Sequence, residues 1–137
     1  MKIVLDTNCL IPVLVPESYG YDIWKAFRQG RYTLCVSTDI LLEYEEILIQ
    51  MTGDHEFASL VVEAIANAVN VEHVNPTYRF NLITADPDDN KFVDCAITAG
   101  ATYIVSNDRH FQELKRYDFP KVDVIKLSEF LDIVRTL

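Results

Sequence analysis

Short apolar runs alternate with longer stretches of helical spacing along this chain, and no repeat or compositional break interrupts them. Residues 3–5, an Ile-Val-Leu run, read as a buried strand. Further strands are expected over 32–36, 71–74, 102–106 and 122–125. Between them, 22–29 puts Ile23, Trp24 and Phe27 on one helix face, with Gly30 as a stop signal. Residues 38–51 align Ile40, Tyr44, Ile47, Leu48 and Met51 at helical spacing, and a second helix is expected over about 56–68. A Pro-containing loop then leads to Asp86-Pro87. A helix over 89–99 ends at Gly100, a short helix begins at Asp108 and runs to 114, and Ser128 caps a last helix to 135.

Strands that are apolar on both faces and alternate with helices predict an α/β fold, a parallel sheet covered by helices on both sides. Right-handed crossovers leave few topologies for it. Such sheets bind ligands beyond the carboxyl ends of their strands, where strand order reverses. The residues immediately after each strand therefore carry the most functional information.

Length and composition narrow the class further. A chain of 137 residues is the common size for one domain around one core, and half of the residues are apolar, which excludes a disordered or low-complexity chain. No apolar stretch approaches the roughly 20 residues needed to span a bilayer, and a carboxylate at residue 6 comes too early for a signal peptide. Three cysteines without CxxC spacing, Cys9, Cys35 and Cys95, lie in or beside apolar runs and read as reduced core thiols. A soluble cytoplasmic protein is expected. The formal charge of -9 argues against holding nucleic acid by general electrostatics, since phosphate binding normally needs a Lys/Arg surplus.

The distribution of the acids modifies that inference. Asp6 follows the first strand, and Asp108 follows the fourth within Ser106-Asn107-Asp108, so two strands deliver carboxylates to one sheet edge. Asp89 has Phe92, Val93 and Ala96 three, four and seven residues after it, on the same helix face, and so opens its helix on the buried side. Asp94 points away from that face and reads as a solvated surface acid, with an auxiliary charge near the site as the other reading. On the 38–51 helix, Glu43 and Glu45 flank the apolar face about equally, and periodicity does not choose between them. Acids converging on one edge would repel each other without a cation, and hard oxygen ligands suit Mg²⁺ or Mn²⁺. His55 and His73 are isolated, and His110 follows the fourth acid without a ligand-spaced companion, so no His/Cys constellation points to zinc. Carboxylate-held divalent ions serve phosphoryl chemistry.

The motifs around these acids resemble those of the PIN domain family, a nuclease fold found in many bacterial toxin–antitoxin toxins. Val4-Leu5-Asp6-Thr7-Asn8 is similar to the family's opening strand and first acid. Ser37-Thr38-Asp39-Ile40-Leu41-Leu42-Glu43 resembles its second motif, and this match selects Glu43. Asp86-Pro87-Asp88-Asp89-Asn90-Lys91-Phe92 resembles the third motif of a toxin-component subgroup, with Asp89 as the acid. Ile104-Val105-Ser106-Asn107-Asp108-Arg109-His110 resembles the fourth, with Asp108 as the acid. The four motifs occur in order across nearly the whole chain, which makes the set far more specific than any one of them.

The resemblance implies a three-layer α/β/α sandwich with a five-stranded sheet of order 3-2-1-4-5. It also implies a metal-dependent endoribonuclease, often dimeric and inhibited by a cognate antitoxin. Asp6, Glu43, Asp89 and Asp108 would hold Mg²⁺ or Mn²⁺; Asn8, Ser106 and Asn107 would orient waters or phosphate oxygens; Arg109 or Lys91 would touch the RNA backbone. Two other readings compete. One is a non-catalytic protein of this fold that binds a partner. The other, a phosphoacceptor receiver domain, fits poorly, because Asp6-Thr7-Asn8 lacks an adjacent second acid and no proline follows Lys126.

Overall fold

The computed structural model of the chain describes every residue except Phe119. Its centre is a parallel sheet of β1 (Lys2–Leu5), β2 (Thr33–Val36), β3 (Val71–His73), β4 (Tyr103–Val105) and β5 (Val124–Ile125), in the order β3-β2-β1-β4-β5. Apolar strands without alternation need cover on both faces, and Ile3, Val4, Cys35, Val36, Ile104 and Val105 are all fully buried. β1 is the central strand: Ile3 pairs with Leu34 on one side and with Tyr103 on the other. The sequence runs leftward from β1 to β3 and then returns across it to β4, so the order reverses between β1 and β4.

Among the described residues, six α-helices flank the sheet: α1 (Thr7–Leu14), α2 (Tyr21–Arg28), α3 (Thr38–Thr52), α4 (His55–Ala66), α5 (Asn90–Ala99) and α6 (Leu127–Val134). The α/β/α sandwich and strand order expected from the sequence are those observed. Local chemistry sets the helix ends. Ser37 accepts a hydrogen bond from the Ile40 amide and starts α3, while Asp54 accepts from the Phe57 amide and starts α4. Gly100 closes α5 at φ 66°, a left-handed conformation that side chains with a Cβ rarely adopt. Cys9, Cys35 and Cys95 are free and buried, as their apolar surroundings predict, and burial pushes each thiol up to about 12.

Several elements differ from the sequence expectation. α1 is not announced by any periodicity, since it is short, contains Pro12 and buries Thr7 as well as Cys9, Leu10 and Val13. The short helix expected from Asp108 to 114 is a 3₁₀ helix and spans Arg109–Arg116. Only Val124–Ile125 of the expected 122–125 strand pair with β4. α6 starts at Leu127, not at Ser128, because its first amides find acceptors elsewhere: Leu127 N donates to Asn107 Oδ1 and Lys126 N to Glu129 Oε1, both at 3.0 Å.

The loop between β3 and α5 has almost no regular structure, yet three polar side chains fasten it. Buried Asn90 accepts from Ile83 N at 2.9 Å and donates to Ile83 O at 2.8 Å, imitating a strand partner. Glu113 accepts from the amides of Thr84 and Ala85 and from the Thr84 hydroxyl. Asp94 accepts from Phe80 N at 3.1 Å and is only 7% exposed. The expectation of a solvated Asp94 is therefore corrected. The helix wheel places it off the main apolar face, but the loop folds over that flank and uses the carboxylate as an anchor.

Replacing Asn90 by Ala should be costly, because it strands a donor and an acceptor on buried Ile83. Urea unfolding should report a loss of about 2–4 kcal/mol; a loss under about 0.5 kcal/mol would show that the loop does not depend on this anchor.

Candidate active site

The parallel register of β1 and β4 pairs Leu5 with Val105, and Asp6 N continues the ladder by donating to Val105 O at 3.0 Å. The chain leaves both strands at the same edge, Asp6 on one side and Ser106-Asn107-Asp108 on the other. Ser106 joins them. Its hydroxyl donates to Asp6 Oδ2 at 2.8 Å and accepts from the Asp108 amide at 2.9 Å, and it is buried. Both hydrogen-bonding directions of that hydroxyl are thus occupied within the protein.

α3 supplies the third acid. The Tyr44 hydroxyl, fully buried, donates to Leu5 O at 2.5 Å and locks the helix against the end of β1. Its neighbour Glu43 consequently reaches the same edge, where Thr7 Oγ1 donates to one carboxylate oxygen and Lys91 Nζ lies 2.8 Å from the other. Lys91 thus meets Glu43 and neutralises it in part.

The third motif arrives through a 3₁₀ turn, Pro87–Asp89, that runs into α5. Asp89 is 8% exposed, and its carboxyl is pushed up to about 7 by burial first and then by the charges of Asp86, Asp108 and Asp6. Asp6 is raised as well, by burial and by Asp108 and Glu43, against the lowering effect of the Ser106 hydrogen bond. Asp6 thus lies close enough to feel the charges of Asp108 and Glu43, and Asp89 those of Asp108 and Asp6.

Two residues join them that the sequence reading does not select. His110 Nδ1 lies 3.2 Å from Asp108 Oδ1 and 3.5 Å from Asp89 Oδ2, without the alignment of a hydrogen bond to either. One ligand atom each from Asp86, Asp89 and His110 fall within 4.8 Å of one another. His110 is isolated along the chain but acquires these companions through the fold. The visible signal was its place two residues after Asp108, and Asp86 sat in the Asp-Pro-Asp-Asp run itself.

Among the described residues, the buried side-chain polar atoms without a hydrogen-bond partner are Asp89 Oδ2 and His110 Nδ1. Interiors seldom leave such atoms orphaned. Anionic oxygens and an imidazole nitrogen facing one space are a donor set that fits a divalent cation.

The remaining expected contacts are distributed differently. Asn8 and Arg109 are exposed at the edge. Asn107 is exposed, but its side-chain oxygen is taken by the α6 N-terminus. Beside Glu43 and Lys91 opens a groove of about 860 Å³ between α3, the 74–81 segment and the start of α5. Arg79 and Lys91 are the cations in its lining, against Asp39, Glu43, Glu46, Asp88 and Asp94.

Residues 2–110 match the PIN domain family, and the chain belongs to that family. The fold is shared with a chain in the crystal structure of VapBC2 from Rickettsia felis bound to a DNA fragment from their promoter. That match has a TM-score of 0.62 at 16% identity and covers 92% of this chain and 98% of the other. Among curated proteins, none is significantly similar in sequence. Among the described residues, no helix is long and apolar enough to cross a membrane.

The raised Asp89 carboxyl has a consequence for stability. The unfolded chain releases this proton near 3.8 and the folded chain near 7, so the folded state binds more protons between those values. The contribution of Asp89 to stability is therefore greatest below 3.8 and is lost as pH rises towards 7 and beyond. In chelator, Asp89→Asn should raise the Tm by about 3–6 °C at pH 8 and change it little at pH 4. Equal shifts at both pH values would contradict this.

Proposed function

We propose that this protein is a metal-dependent endoribonuclease that hydrolyses RNA phosphodiester bonds, acting in the cytoplasm as the toxin of a toxin–antitoxin pair. The observation that carries the reading is the mutual approach of Asp6, Glu43, Asp89 and Asp108 at the point where strand order reverses. These four residues would hold Mg²⁺ or Mn²⁺. A bound divalent ion supplies water activation and charge neutralisation for phosphodiester hydrolysis.

The rest of the edge serves those acids. Ser106 holds Asp6 and Asp108 in register through its buried hydroxyl, a positioning role rather than a contact with phosphate. Thr7 and Lys91 orient Glu43. With Glu43 as a metal ligand, Lys91 would be free to meet the RNA backbone, and exposed Asn8 and Arg109 would flank the same path. Asn107 sits beside that path with its carbonyl committed to α6, which leaves only its amide for a phosphate oxygen. The groove beside Glu43 has room for a single strand, but its acids outnumber its cations. Binding should accordingly be weak without metal.

The likeness to a VapBC2 chain supports a protein antitoxin as partner. The negative charge favours a partner with a basic face. Leu42, Met51 and Leu60, each more than half exposed on α3 and α4, offer apolar surface for that contact or for a homodimer.

Purified protein should cut single-stranded RNA in Mg²⁺ or Mn²⁺ and stop in chelator. Asp6→Asn should lower the rate on the order of 100-fold or more while keeping the circular dichroism spectrum. Cleavage by Asp6→Asn at the wild-type rate would refute the assignment. Metal binding without any cleavage would favour a partner-binding protein instead.

A further inference from the structure

We propose that Asp86, Asp89 and His110 form a second metal position beside the four-acid edge, one whose imidazole nitrogen selects a transition-metal dication over Mg²⁺. Their ligand atoms lie within 4.8 Å of one another. An octahedral ion with bonds of about 2.1 Å sets neighbouring ligands about 3 Å apart and opposite ones about 4.2 Å apart. Small side-chain adjustments therefore bring all three atoms onto one ion. Asp89 Oδ2 and His110 Nδ1 are buried atoms on this space that make no hydrogen bond to any described residue, and they lie 3.5 Å apart at ion-pair distance. Asp89 itself is 8% exposed, so bulk water does not take the place of a partner.

An ordinary His–Asp ion pair is the competing explanation, since a protonated imidazole would stand at salt-bridge distance from two carboxylates without an aligned hydrogen bond to either. His110 Nδ1 stands 3.5 Å from Asp89 and 3.2 Å from Asp108, off line for a hydrogen bond to either. The backbone holds it there: His110 N donates to Asp108 Oδ1 at 2.8 Å. Asp86 is fixed independently, through the grip of Glu113 on Thr84 and Ala85, and Asp89 through its neighbour Asn90. Three ligands preset by separate anchors are what a cation site needs before the cation arrives.

The donor set also determines the choice of ion. Carboxylates alone accept Mg²⁺ readily, whereas an imidazole nitrogen adds affinity for first-row transition ions and little for Mg²⁺. Asp89 would serve both positions, one with oxygen donors alone and one with a nitrogen donor from His110.

This inference rests on the reading of the sheet edge as a metal centre, but not on RNA cleavage. The full chain loaded with Mn²⁺ should show ¹⁴N modulation from a coordinated imidazole in pulsed electron paramagnetic resonance. His110→Gln should abolish the modulation, and Asp86→Asn should weaken nitrogen-ligated Mn²⁺ at least about tenfold. A tenfold excess of Mg²⁺ should leave the signal in place. Bound Mn²⁺ without ¹⁴N modulation would overturn the proposal, even if RNA is still cleaved. Failure to bind Mn²⁺ at all would overturn it together with the metal-centre reading.

Discussion

Parallel pairing of β1 with β4 sends Asp6 and Asp108 out of the sheet side by side, and one hydroxyl, that of Ser106, fixes their separation. The other features of the site depend on this juxtaposition. Two carboxylates in that position already repel, and burial of Asp6 makes its charge costly. Asp89 and Glu43 then approach from α5 and α3. The protein tolerates this concentration of charge by a raised carboxyl pKa at Asp89, by Lys91 at Glu43 and by the Ser106 hydrogen bond at Asp6. Each is a partial remedy, and a divalent cation would relieve all of them together.

A second constraint works from the opposite side. The β3–α5 loop contributes Asp86 to the site and could not do so as a free segment. Asn90, Asp94 and Glu113 replace the missing ladder bonds by accepting from its amides. Glu113 stays charged while doing this, since the Ala85 amide and the Thr84 side chain and amide hold its carboxyl below the usual range. The loop is thus a stiff wall of the site. That stiffness keeps Asp86 within reach of Asp89 and His110.

The sheet was readable because the runs of β1, β2 and β4 are apolar on both faces. The strand order was not readable from periodicity; it came with the family likeness. Asp6, Asp89 and Asp108 stood out because of where they fall relative to strands and a helix face. Glu43 did not, since Glu45 occupies an equivalent flank, and the deciding contact, Tyr44 with Leu5 O, lies 39 residues away in sequence. α1 escaped notice because Pro12 and a short apolar run carry no helical signature. Periodicity could not bring His110 together with Asp86 and Asp89, or Asp94 with Phe80, because those partners arrive only through the fold. Burial made by a loop leaves no period in the sequence.

The charge of -9 acquires a physical meaning from this arrangement. Part of it is concentrated where a cation belongs, and two bound divalent ions would still leave the chain negative, with solvated acids such as Glu46 and Asp54 carrying the remainder. Contact with phosphate would then be local and bridged by metal rather than spread over a basic face. Anomalous diffraction from crystals grown in Mn²⁺ tests this most directly. The account predicts a peak enclosed by Asp6, Asp89 and Asp108; crystals whose anomalous peaks lie only on the outer surface, with this edge empty at saturating Mn²⁺, would contradict it.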